Sequence, residues 1–90
     1  MAAPLKVNVV SADREVWSGE ATMVVAKTVE GEIGIMAGHE PILAILAAGE
    51  VRVRVADGSS LIAQADDGFL SMAHDLVTIV ASRVELTPAS

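Results

Sequence analysis

Two histidines, a glycine-punctuated segment and a pair of adjacent aspartates are the residues of this chain whose types could support chemistry. Neither His39 nor His74 stands at i, i+4 or in another compact spacing with carboxylates that would hold a metal ion. His39 reads as a loop histidine bonded to nearby backbone, and His74 as a solvated turn residue beside Asp75. Gly31, Gly34 and Gly38 form a G-x-x-G-x-x-x-G pattern, which matches neither the dinucleotide fingerprint nor the phosphate loop with its Lys-Ser/Thr ending. Asp66 and Asp67 would point to opposite faces of a strand, and ahead of Gly68 they read as a solvated turn rather than an acid–base pair. Cysteine is absent, so thiolate nucleophiles, disulfides and Cys-ligated zinc sites are excluded. These residues imply no catalytic centre, no metal and no cofactor.

Composition narrows the partners. Twelve acidic against six basic side chains leave a formal charge of −6, which repels nucleic-acid phosphates and anionic lipid headgroups. No apolar run approaches the roughly 20 residues that span a bilayer, and the N-terminus lacks the charged-then-apolar order of a signal peptide. A soluble domain is expected, with no direct lipid insertion and no nucleic acid, attached to a membrane complex at most through protein contacts. Its mean hydropathy of +0.53 is high for 90 residues and predicts an isolated monomer with an apolar patch that a partner would cover. One Trp, one Phe and no Tyr leave the core to Val, Ile, Leu, Ala and Met. Where Val and Ile dominate, strands are favoured.

The elements that must position these residues read as β. Leu5, Val7 and Val9 alternate with Lys6 and Asn8, the period of a strand with one buried face. Val16 to Gly19 reads as a short apolar pair meeting a Ser-Gly turn, and Ala21 to Val29 as a second, Val-rich strand. Between Pro41 and Ala48 the pattern fits helix and buried strand equally: Ile42, Ile45 and Leu46 have helical spacing, Pro41 suits a first turn and Gly49 a helix end. Val51, Val53 and Val55 alternate with Arg52 and Arg54 and run into Asp57-Gly58, a strong hairpin signal, with the return at Ser60 to Ala65. After Asp66-Asp67-Gly68, two more strands, Phe69 to Ala73 and Leu76 to Ala81, are joined by His74-Asp75. Turns every eight to twelve residues indicate an all-β sandwich or barrel. Its core is expected to include Val7, Val9, Val24, Val53, Val55, Phe69 and Ile79. Thr87 to Ser90 reads as a loose end.

Read whole, Gly31-Glu32-Ile33-Gly34-Ile35-Met36-Ala37-Gly38-His39-Glu40-Pro41 resembles the signature loop of the F-type ATP synthase epsilon subunit, Gly-Glu-hydrophobic-Gly-hydrophobic-x-Pro-Gly-His-x-Pro. Gly31, Glu32, Gly34, Gly38, His39 and Pro41 match in order and spacing, and Ala37 replaces the usual proline, which should loosen the bend without removing it. Val9 to Arg14, Val16 to Gly19 and Gly68 to Leu70 are similar to the same family. The resemblance implies a flattened sandwich of about ten short strands, with strand rather than helix at Ile42 to Ala47. It implies a sandwich domain over 1–84 and a tail over 85–90, ending before the C-terminal helical hairpin that many members carry.

For function the resemblance implies a non-catalytic central-stalk subunit, which joins the gamma subunit to the polar loops of the c-ring and supports coupling of proton flow to ATP synthesis. The location implied is peripheral, on the cytoplasmic face of a bacterial membrane or its matrix or stromal equivalent. Glu32, His39, Gly31, Gly34 and Gly38 are the partner-contact residues it implies, the glycines chiefly by shaping the loop. The alternative is a free-standing carrier or binding module with biotin or lipoate on Lys27 or Lys6, although Ala26-Lys27-Thr28 lacks the Met-Lys-Met or Asp-Lys-Ala setting of such carriers.

Overall fold

The computed structural model describes residues 4–12 and 14–89. Alternation of apolar and polar residues produces strands throughout: β1 (Leu5–Ser11), β2 (Arg14–Thr28), β3 (Gly31–Ile35), β4 (Ile42–Val55), β5 (Ser60–Ala73) and β6 (Leu76–Ala89). The all-β expectation holds, and Ile42 to Ala47 is strand. The strands differ from expectation in being six and long rather than ten and short.

Pairing explains the difference. In one layer the first half of β2 pairs with β1, β1 runs parallel to the start of β6, and β6 continues to the end of β5 and the start of β4. In the other, β3 pairs with the second half of β2, followed by the ends and starts of β4, β5 and β6 in the opposite halves. Each of the long strands β2, β4, β5 and β6 thus bends and serves both layers, so that with β1 and β3 the sandwich holds ten strand segments.

The chain turns these corners with irregularities instead of loops. Register shifts occur in β2 between Ala21 and Met23, and Asp67 in β5 takes a left-handed φ of 52°. Extra residues and left-handed geometry are what bend a strand without ending it. Asp66-Asp67-Gly68 is therefore an interior bend of β5, not the turn the sequence suggested. At Gly68 the two strands come so close that a Cβ would lie 2.0 Å from the Val80 carbonyl oxygen. Ser18-Gly19 likewise lies inside β2, where glycine leaves room for the ring of Trp17, 2.7 Å from where a Cβ would be. β6 also runs beyond the Ala81 end expected of it, through Ala89, so residues 85–89 are strand paired with β5.

The core lies between the layers. Leu5, Val7, Val9, Leu70, Met72, Val77 and Ile79 from one side meet Val24, Ala26, Ile35, Val51, Val53 and Ala63 from the other, all essentially inaccessible. Five of the seven expected core residues are among them. Val55 is only half-buried and Phe69 is exposed: the bend at Asp67 shifts the alternation of β5 by one residue, from Ala63 and Ala65 inward before it to Leu70 and Met72 inward after it, which turns Phe69 outward. Asp57-Gly58 forms the expected hairpin: Gly58 N–H donates to the Val55 carbonyl at 3.0 Å, and the Asp57 carboxylate accepts the Ser59 N–H at 2.8 Å. Those bonds from Ser59, its hydroxyl first, hold the Asp57 carboxyl below the usual carboxylate range.

Candidate functional site

The glycine segment divides between an edge strand and a loop. Gly31 and Gly38 have φ of 127° and 87°, conformations that L side chains rarely adopt, so both glycines shape backbone as expected. Gly34 is different. It pairs with Val25 outside the left-handed region, and nothing lies within 4 Å of a Cβ built on it. Among the described residues nothing requires glycine at that place, which leaves bare backbone on an exposed edge strand.

Glu32 and His39 are not brought together. Glu32 is exposed near the start of β3, opposite Lys27 on β2. His39 lies past the far end of β3, where its Nδ1 donates to the Glu40 carbonyl at 2.6 Å, the local backbone bond expected of it. Lys27, weighed as a carrier lysine, sits within β2 one residue before Thr28, which pairs with Gly31 across the turn. Among the described residues no three His, Cys, Asp or Glu side chains are placed to hold a metal ion.

The apolar patch expected from the mean hydropathy, which the sequence did not locate, lies at one edge of the sandwich. Leu43 and Ile45 on β4 are 72% and 61% exposed, Val29 in the β2–β3 turn 65%, and Phe69 on β5 41%. Ile45 and Phe69 are direct cross-strand neighbours, and the Val29 N–H donates to the Ile45 carbonyl at 3.0 Å. Between the open edge of β4 and the β2–β3 turn runs a groove of about 390 Å³, lined by Val29, Ile33, Ile42, Leu43 and Ile45 among others. The helix-or-strand tie at Ile42 to Ala47 hid this patch, since only strand geometry sends Leu43 and Ile45 to one outer face.

Comparison with known proteins fits the geometry. Residues 4–87 match the family described as ATP synthase, Delta/Epsilon chain, beta-sandwich domain. The chain belongs to this family. It is 49% identical over 87 residues to an ATP synthase epsilon chain of Streptomyces coelicolor, covering 97% of this chain and 70% of that one. To an ATP synthase epsilon chain of Micrococcus luteus it is 51% identical over 88 residues, covering 98% and 97% respectively. In backbone it is similar to a chain in the cryo-EM structure of the Euglena gracilis mitochondrial ATP synthase OSCP/F1/c-ring assembly, with a TM-score of 0.86 at 24% identity. It covers 98% of its own length and 55% of that chain. A chain in the Tetrahymena thermophila mitochondrial ATP synthase central stalk/c-ring structure gives 0.72 at 16% identity, covering 93% of this chain and 67% of that one. At those identities the two likenesses speak for the fold alone.

Proposed function

We propose that the chain serves as the epsilon subunit of an F-type ATP synthase, a non-catalytic rotor component that connects the gamma subunit to the c-ring. The observation that carries the reading is a family match spanning residues 4–87, with epsilon chains about half identical over nearly the whole sequence. The apolar patch gives it a physical basis. Leaving Val29, Leu43, Ile45 and Phe69 in water is unfavourable, and fully covering one such side chain gains about 1.5 to 3 kcal/mol. A patch in which Phe69 stands beside Leu43 and Ile45, with Glu30 along its groove, has the apolar core and polar rim of a protein contact. That contact is assigned to gamma.

Glu32, His39 and the backbone at Gly31, Gly34 and Gly38 are assigned to the contacts at the base of gamma and the polar loops of the c-ring. Glu32 is exposed and carries charge, which steers and aligns a basic partner more than it adds affinity. In this reading the domain is held peripherally at the cytoplasmic face of the membrane, or its matrix or stromal equivalent, through protein partners alone. It uses no cofactor and supports assembly and coupling of proton flow to ATP synthesis. Co-expression with the gamma subunit of the same organism tests it: a stable one-to-one complex is expected, and recovery of gamma without this chain would overturn the proposal.

A further inference from the structure

The loop from Met36 to Pro41 carries His39 and has little internal support. Inside it, His39 N–H donates to the Met36 carbonyl at 3.1 Å and His39 Nδ1 to the Glu40 carbonyl at 2.6 Å. Among the described residues, one hydrogen bond joins this loop to another element: Gly38 N–H donates to Asp75 Oδ1 at 2.8 Å, across 37 residues of sequence. The Asp75 backbone carbonyl accepts from Lys6 N–H at 2.9 Å, so the same residue also ties down the start of β1.

Asp75 stands in an unusual place. Ala73 and Leu76 pair directly, so His74 and Asp75 are the two residues of a tight hairpin, with φ of 52° and 60°. A turn with both central residues left-handed is best served by Asn and Gly. The hairpin thus does not need a carboxylate, and its strain is held where a polar side chain reaches the loop.

We propose that Asp75 is a positioning residue, whose carboxylate latches the Gly38–His39 backbone to the β5–β6 hairpin and holds His39 in the orientation that meets a partner. The inference rests on the proposed contact of this loop with the rotor. A loop fixed before binding loses less freedom when the partner docks, so the latch acts on affinity and not on folding.

Three variants separate the latch from the strain and the charge. Asp75→Gly removes the acceptor while relieving the left-handed backbone, Asp75→Asn keeps an acceptor oxygen without the charge, and His74→Gly relieves strain with the latch intact. Two readouts are taken on the full chain: hydrogen exchange of the Gly38 amide by NMR, and calorimetric binding to a purified gamma subunit. In Asp75→Gly, Gly38 exchange is expected to rise about tenfold or more, with the melting temperature unchanged or higher. Its affinity for gamma should fall about five- to tenfold, while Asp75→Asn and His74→Gly stay near wild type. Unchanged exchange in Asp75→Gly would overturn the latch. Faster exchange with unchanged affinity would overturn its role in positioning. Wild-type protein that does not bind gamma would count against the proposed function, and Gly38 exchange would still decide whether the latch exists.

Discussion

Ile45 on β4 and Phe69 on β5 face each other across a strand pair on the outer surface of the sandwich, where both remain substantially exposed. An aliphatic and an aromatic residue directly opposed would gain about 0.2 to 1 kcal/mol from each other, yet the rest of the chain covers each of them only in part. Their replacement therefore should cost little folding free energy. Ile45→Ser and Phe69→Ser are expected to change stability by about 1 kcal/mol or less and to improve solubility. Denaturant melts of the single and double variants check this, and loss of the folded state would mean the patch belongs to the core.

Gly68 and Gly34 should respond to alanine in opposite ways. At Gly68 a methyl group would overlap the Val80 carbonyl and the Ala81 backbone, so Gly68→Ala is expected to destabilise by about 3 kcal/mol. At Gly34 the space is open and the backbone ordinary, so Gly34→Ala should leave stability unchanged or raise it by about 0.5 kcal/mol. Urea unfolding of both, side by side, is the check. If Gly34→Ala also weakens gamma binding, the bare edge of β3 touches the partner through its backbone.

Acid should act on the Asp57-Gly58 hairpin. The Asp57 carboxyl is held below its ordinary value by the Ser59 hydroxyl and N–H, so its folded pKa lies under its unfolded one. Its contribution to stability is present above the unfolded value near 3.8 and is lost as pH falls through the folded value. Asp57→Asn keeps an acceptor but cannot titrate. It should flatten the part of the stability profile below about pH 4 that this group contributes, and an unchanged acid limb would show that other carboxylates set it.

Some of this molecule is legible in its sequence for simple reasons. Val7 with Val9 and Val51 with Val53 alternate with polar neighbours, and a buried face needs no more than that to declare a strand. Asp57-Gly58 declares a hairpin because glycine takes φ of 97° without cost. The corners are illegible because a bend within a strand and a turn between strands use the same residues. Asp67 and Gly68 continue β5 only because β6 follows them around the corner, a pairing between residues far apart in sequence. The candidate site divides similarly: the glycine loop reads directly as a motif, whereas the patch at Leu43 and Ile45 and the Asp75 bond to Gly38 arise from tertiary placement.

Glu32→Lys places two cations opposite one another on β2 and β3, a loss of about 0.2 to 1 kcal/mol for exposed cross-strand neighbours. His39→Ala removes one local hydrogen bond in an exposed loop. Glu32→Lys should fold and bind gamma within about threefold of wild type, and His39→Ala should fold but bind gamma about five- to tenfold more weakly, while proton-driven ATP synthesis in reconstituted vesicles falls in both. Synthesis at the wild-type rate in either variant would remove that residue from the rotor contact.

The apolar edge formed by Val29, Leu43, Ile45 and Phe69 is the surface proposed to dock on the gamma subunit. Isothermal titration of purified gamma into the wild-type chain and into Ile45→Ser measures it most directly. Saturable one-to-one binding with a negative heat-capacity change from apolar burial is expected, with affinity lowered about tenfold or more by the substitution. Absence of binding, or equal affinity for the two proteins, would contradict it.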